Sequence, residues 1–388
     1  MHHKKLRIYL DYAATTPLDP QALKAMSPYF TAKFGNAASL HSFGLEAKEA
    51  VESGRKVIAD AIKASAKEVY FTSSATESNN LALKGLAWAN KDKKHIIVSA
   101  VEHDCVLTSA AWLEQQGWSL TILPVDKNGL VNPKEAAKAI RPDTLVVSVM
   151  HANNEIGTVN PIGEIGKICR DKGVYFHTDA AQTFGKIPID VNRLNIDLLT
   201  ASAHKMYGPK GAALLYVRTG VRIRPLLHGG GHENGLRSST LNVPGIVGFA
   251  ASVKICLAEM KPESARLEKL RDKLIKGVLA KIPDAYLNGH PKKRLPNNAN
   301  FRFSYIEGEA LVMMLDNLGI AASTASACSS PKLQPSHVLL ACGLRPQDAH
   351  GSLRLSLGRW TTEREIDKVL KVLPKVVEKL RKMSPFKS

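Results

Sequence analysis

Lys205 stands where an apolar run ends and a Gly/Pro turn begins, within Thr200-Ala201-Ser202-Ala203-His204-Lys205-Met206-Tyr207-Gly208-Pro209. A lysine so placed can lose enough hydration to act as an amine nucleophile toward an aldehyde. Taken alone, a solvated lysine is the plainer reading. Asp179 closes an earlier apolar run, in His177-Thr178-Asp179-Ala180-Ala181-Gln182. A carboxylate there can hold a cationic ring nitrogen or simply cap a helix. Thr72-Ser73-Ser74-Ala75-Thr76-Glu77-Ser78-Asn79 follows a third apolar run and precedes a helix-forming stretch. Small hydroxyl residues at a helix N-terminus offer amides and hydroxyls to a phosphate, or cap the helix and do nothing more.

Each element alone is ambiguous. Together, in the order phosphate cup, acid, lysine, they are the parts that pyridoxal phosphate needs.

The surrounding elements suit that order. From about 45 to 250, short apolar runs at 69–72, 95–100, 120–125, 144–150, 174–179, 198–203 and 212–217 read as strands. Amphipathic stretches such as 133–140 and 162–172 lie between them. The alternation predicts an α/β domain with a largely parallel sheet, whose ligands gather at the strand C-termini. The character changes near Lys261. Leu267, Leu270, Leu274 and Val278 make a helical stripe, strands are predicted at 297–303 and 352–357, and 363–381 reads as a final amphipathic helix. The expectation is a large domain over 15–260 and a smaller α+β domain over 261–388 together with 1–14.

Composition excludes other classes. With 388 residues, 44% hydrophobic and 23% charged, the chain is neither disordered nor fibrous. No uninterrupted apolar run approaches the roughly 18 residues of a membrane helix, and Asp11 interrupts the N-terminus before a signal-like apolar region forms. A cytoplasmic location is expected. The five cysteines, Cys105, Cys169, Cys256, Cys328 and Cys342, show no CxxC pair and no metal-ligand spacing, so no metal is expected. The formal charge of +18 is dispersed over 91–94, 292–294 and 375–387. It reads as solvated basic surface, or as a surface for an acidic partner. No zinc-finger or RNA-binding signature accompanies it, and neither DNA nor a membrane is expected as a partner.

The sequence closely resembles the cysteine desulfurases of the class V aminotransferase fold, the NifS/IscS type. The resemblance starts at Leu10-Asp11-Tyr12-Ala13-Ala14-Thr15-Thr16-Pro17 and continues through Thr76-Glu77-Ser78-Asn79-Asn80, Glu102-His103 and Asn153-Asn154-Glu155-Ile156-Gly157. It goes on through His228-Gly229-Gly230-Gly231-His232-Glu233, Ser326-Ala327-Cys328 and Arg354-Leu355-Ser356-Leu357-Gly358-Arg359. It implies a PLP-dependent transferase of fold type I and the conversion of L-cysteine to L-alanine, with a persulfide left on Cys328. Lys205 would bond the cofactor aldehyde and move the substrate's α-proton. Asp179 would keep the ring nitrogen protonated, Gln182 would bond the phenolic oxygen, and His103 would stack on the ring and serve as an acid/base group. Ala75, Thr76, Ser202 and His204 would hold the phosphate, joined by Thr240 of the other subunit of a homodimer. Arg354, assisted by Asn154, would grip the substrate carboxylate. Cys328, in a small-residue loop at about 323–335, would be the nucleophile. Sulfur would pass to an acidic or scaffold-type protein for iron-sulfur clusters, or to tRNA thiolation.

The chain departs from the family pattern at Ser74, Ser239 and Ala325, where glycine is usual, and at Ala37, where proline is usual. Lost glycines could weaken cofactor binding or stiffen the cysteine loop. The C-terminal extension by which housekeeping members engage their scaffold is also expected to be lacking, which bears on the choice of sulfur acceptor. Two alternatives follow: a selenocysteine lyase or another β-eliminating enzyme of this fold, and a slow paralogue that acts mainly by binding protein or RNA.

Overall fold

The structure, a computed structural model, describes residues 7–324 and 335–384. Its main sheet contains β2 (Val69–Thr72), β3 (His95–Ser99), β4 (Ser119–Leu123), β5 (Thr144–Ser148), β6 (Tyr175–Asp179), β7 (Leu198–Ser202) and β8 (Ala213–Val217) in the order β2-β8-β7-β6-β5-β3-β4. Among these, β3 through β7 pair in parallel, while β8 runs against both its neighbours. The inner strands β3, β5, β7 and β8 are buried along their whole length. Such strands are covered on both faces, which is why they read as continuous apolar runs. The edge strand β4 is exposed or half-buried from Ser119 to Ile122 and buried only at Leu123.

A second layer of structure lies C-terminal to this sheet. Strands β9 (Ala285–Asn288), β10 (Asn298–Phe303) and β12 (Ser352–Ser356) form an antiparallel sheet in the order β12-β10-β9. The short β1 (Ile8–Tyr9) returns the N-terminus to this region by pairing with β11 (Ile320–Ala321). The helix Glu363–Met383 opens with a capping box between Thr362 and Glu365 and buries Ile366, Val369, Leu373, Val376 and Leu380 at helical spacing.

One helix, Val243–Lys281, joins the two cores. Val243, Ile246, Phe249, Val253 and Cys256 pack into the core beneath the main sheet, and Leu267, Leu270, Leu274 and Val278 pack into the core of the small sheet. The change of character read near Lys261 therefore falls inside a continuous helix. This helix also contains a window of hydropathy 1.5, long and apolar enough by length and composition to cross a membrane; half of that window is buried inside the fold. A search for uninterrupted apolar runs passes over it because Lys254 and Glu259 break the run.

Candidate active site

Five strands of the main sheet end on one edge, and each hands the chain to a residue singled out above. After β2 comes the helix Ala75–Ala89. After β3 come Glu102 and His103, and after β5, Asn154 and Glu155. Asp179 ends β6, with Gln182 beyond it, and β7 ends at Ser202, followed by His204 and Lys205.

Lys205 is half-buried and donates from Nζ to the carbonyls of Ala13 at 2.8 Å and Ala14 at 2.7 Å. Gln182 Nε2 donates to the same Ala13 carbonyl at 2.9 Å, so the amine and the amide converge on one oxygen. The turn that aims Lys205 is held in place. Tyr207 adopts φ 64°, a left-handed conformation that non-glycine residues rarely take, and is tied by its N–H to Thr16 Oγ1 at 2.8 Å. Beneath lies Lys186, whose amine donates to Gln182 O at 3.1 Å. Burial, with Lys205 nearby, lowers its pKa to about 8.

Asp179 is buried. Its carboxylate accepts from Asn79 Nδ2 at 2.7 Å and from the Ala181 N–H at 2.8 Å, and it makes no ion pair among the described residues. Asn79 also donates to Cys105 Sγ, 3.1 Å away, and that sulfur is 3.1 Å from His103 Nδ1. His103 is half-buried and caps the helix Asp104–Gln115 by accepting from Cys105 N–H at 3.2 Å. Glu102, beside it, is buried; burial raises its pKa to about 8, opposed by hydrogen bonds from Ser99 Oγ and Met150 N–H.

The cup after β2 is shaped by Ser74, whose extended backbone (φ −161°, ψ 161°) suits any residue and whose Oγ accepts from Glu77 N–H. Ala75 is half-buried and Thr76 exposed. Across from them, Ser202 is buried and its hydroxyl makes no hydrogen bond among the described residues. His204 Nδ1 lies 3.1 Å from Thr15 Oγ1. Burial, followed by Lys205, Lys210 and Lys186, drives its pKa down to about 4, so the imidazole is neutral near pH 7.

At the other end, buried Arg354 donates from Nη1 to the Asn154 carbonyl at 3.0 Å and from Nη2 to Asp11 Oδ1 at 2.8 Å, while its Nε has no partner among the described residues. Arg354 also forms a backbone bridge with Ser323. Ser336 donates to Glu155 Oε2 at 2.5 Å. Cys328 and Ala325 lie outside the described residues. Thr240 is exposed, and no hydrogen bond among the described residues links it to the cluster in its own chain.

Residues 8–369 match the family model described as aminotransferase class-V. The chain belongs to the class-V aminotransferase family. Similar members include Cysteine desulfurase IscS of Methanosarcina thermophila, 54% identical over 98% of this chain and 94% of that protein. Cysteine desulfurase IscS 1 of Archaeoglobus fulgidus is 52% identical over 97% of this chain and 99% of that one. Among solved structures, a NifS-like protein superposes with TM-score 0.91 at 39% identity, covering 97% of this chain and all of that one. A structure titled SspA in complex with cysteine gives 0.81 at 37% identity, covering 92% and 100%.

The class-V family is generally PLP-dependent, and the residues here fit that cofactor. A buried carboxylate with no cationic partner among the described residues suits a protonated ring nitrogen, and the Ser202 hydroxyl, which makes no hydrogen bond among them, suits a phosphate beside the helix N-terminus. The departures from the family pattern cost little in backbone terms, since neither Ser74, Ser239 nor Ala37 has a positive φ. Sequence reasoning gave no role to Asn79, Asp11, Ala13 and Ala14, although all sit in the motifs that carried the resemblance. Two of them act through backbone carbonyls, which side-chain chemistry does not announce. Cys105 packs against the core cluster that contains Leu81, Val106 and Ala110, and it also touches His103.

Proposed function

We propose that the chain is a pyridoxal phosphate-dependent L-cysteine desulfurase, forming L-alanine and leaving a persulfide on Cys328. The observation that carries this is the convergence of Lys205 and Gln182 on the Ala13 carbonyl, with β6 placing Asp179 on the neighbouring strand. The relatives named cysteine desulfurase, matched over nearly the whole chain, support the substrate.

When bound, pyridoxal phosphate supplies the electron sink that makes the carbon–sulfur bond of cysteine breakable. Asp179 would face its ring nitrogen and favour the cation. Gln182 would donate to its phenolic oxygen, and His103 would lie against its ring. The Ala75 amide and Thr76, with Ser202 and neutral His204, would hold its phosphate. Lys205 Nζ would take up and return the substrate's α-proton. Among the described residues, Arg354 keeps an unused N–H at Nε, and each Nη makes a single hydrogen bond, which leaves donors for a side-on, two-pronged grip on a carboxylate, with Asn154 assisting. The Cys328 thiolate would then take the substrate sulfur, forming the S–S bond as the C–S bond breaks.

Thr240 would serve the phosphate site of a second copy. A homodimer is supported by the exposed apolar side chains of Phe34, Leu40 and Phe43, of which Leu40 is 91% exposed. The +18 charge favours an acidic or scaffold-type protein, or tRNA thiolation, as the sulfur's destination. The large domain would hold the cofactor, with the arginine and the cysteine segment in the smaller one.

The test is alanine and sulfide formed from L-cysteine by the PLP-loaded protein with a reductant. Both products should form in equal amounts and disappear in Cys328→Ala. Absence of alanine from a protein that retains the cofactor sinks the reading, and turnover of selenocysteine alone would replace it with the lyase.

A further inference from the structure

Cys105 occupies a place the proposed reaction leaves unused. Its sulfur sits among three groups: Asn79 Nδ2 at 3.1 Å, His103 Nδ1 at 3.1 Å, and the Thr76 hydroxyl. The orientation of Asn79 is dictated by Asp179, because an amide oxygen turned toward that carboxylate would be repelled. Asn79 therefore gives N–H groups to both Asp179 and the sulfur. Burial, with the nearby Asp179 carboxylate, pushes the Cys105 pKa up to about 12, so the group carries its proton at neutral pH. A thiol that accepts from Asn79 still has one proton to give. Facing it is His103 Nδ1, a nitrogen already accepting from the Cys105 N–H at 3.2 Å. A ring nitrogen that receives two donors holds a lone pair, so the proton of the neutral imidazole belongs on the other nitrogen.

We propose that Cys105 is a positioning residue for His103: its thiol and its amide both donate to Nδ1, and they hold the ring in the tautomer that carries its proton on Nε2. That tautomer presents an N–H, not a lone pair, to whatever lies against Nε2, which has no partner among the described residues. Through Asn79 the same network ties this choice to the orientation of Asp179. The consequence for catalysis rests on the reading of His103 as a group beside cofactor and substrate; the tautomer itself does not.

The experiment is nitrogen-15 spectroscopy of the full chain labelled at histidine, with and without pyridoxal phosphate, the His103 signals being identified by their loss in His103→Gln. In the parent protein Nδ1 should be unprotonated and Nε2 protonated. Cys105→Ala should give a mixture of tautomers, and Cys105→Ser, which keeps a donor, should restore the single one. In parallel, kcat for alanine formation should fall on the order of 10-fold in Cys105→Ala, a fraction of what an acid/base group supplies. KM should change little, and Cys105→Ser should recover most of the loss. A protonated Nδ1 in the parent, or the same tautomer in Cys105→Ala, overturns the proposal. Failure to form alanine at all would sink the desulfurase reading, while the spectra would still decide the role of Cys105.

Discussion

Asp11 Oδ1 lies 2.8 Å from Arg354 Nη2, although 343 residues separate them in the chain. The pair joins the turn that holds Lys205 to the strand β12 that carries the proposed carboxylate grip. Because Asp11 and the Asn154 carbonyl fix two N–H groups of the fork, the orientation of the remaining ones is set before substrate arrives. A lysine amine has one centre and cannot meet all three demands. Arg354→Lys should therefore raise KM for L-cysteine by roughly 10- to 100-fold, with a smaller effect on kcat. Steady-state alanine formation reads both, and an unchanged KM would remove Arg354 from the substrate site.

How much of this was legible in the residues depended on how each one acts. The strands of the main sheet were readable because double burial turns them into apolar runs; β3 and β5 are examples. The short strands β1 and β11 were not, since two residues carry no period. Asp179 and Lys205 were readable as side chains with chemistry at strand ends. Asn79 was not assigned, because its task is to orient Asp179 and Cys105, and nothing local in the sequence states that the three meet. The family resemblance supplied Arg354 and Asn154; spacing alone would not have, as one lies on β12 and the other in the turn that follows β5.

Ser74 offers a test of the departures from the family pattern. It occupies the N-cap of the helix Ala75–Ala89, and its hydroxyl accepts from Glu77 N–H at 3.1 Å. Its extended backbone requires no glycine. Ser74→Gly should thus lower stability by only a few tenths of a kcal/mol, and Ser74→Ala by about 1 kcal/mol. Cofactor affinity, measured by absorbance on titration with pyridoxal phosphate, should stay within about 2-fold in Ser74→Gly. A large gain in affinity would mean that the serine does impair the cup.

Glu102 should leave a mark on stability against pH. Its ordinary value is 4.5 and its folded value about 8, raised by burial against the hydrogen bonds from Ser99 and Met150. Between those values the unfolded chain has lost this proton and the folded chain keeps it. Folding therefore takes up a proton, and stability falls as pH rises from about 4.5 to about 8. Glu102→Gln keeps an acceptor for Ser99 and Met150 and removes the ionisation. Its advantage over the parent should grow across that window, reaching on the order of a few kcal/mol near pH 8. Urea unfolding at pH 5 and pH 8 measures it, and equal slopes in the two proteins would show that Glu102 is ionised in the fold.

Glu233 and Arg55 form a pair withdrawn from water. Glu233 Oε1 and Oε2 lie 2.7 and 2.8 Å from the two Nη atoms of Arg55, and Oε2 also accepts from Phe71 N–H. The guanidinium sits 4.7 Å from the centre of the Phe71 ring and donates to Val69 O at 2.7 Å. These contacts clamp the long helix Ser42–Ile62 and strand β2 to the glycine-rich segment that leads to Thr240. Removing one partner of a buried pair leaves the other charge uncompensated, at a cost of about 3–5 kcal/mol. Glu233→Ala should fall at the lower end, because Glu52 stays 3.1 Å from Arg55 Nε. Arg55→Leu combined with Glu233→Leu should lose much less than the two single changes added together, since no charge is then stranded. Strict additivity in denaturant unfolding would mean that the pair contributes nothing as a pair, and that Phe71 and Val69 hold Arg55 without it.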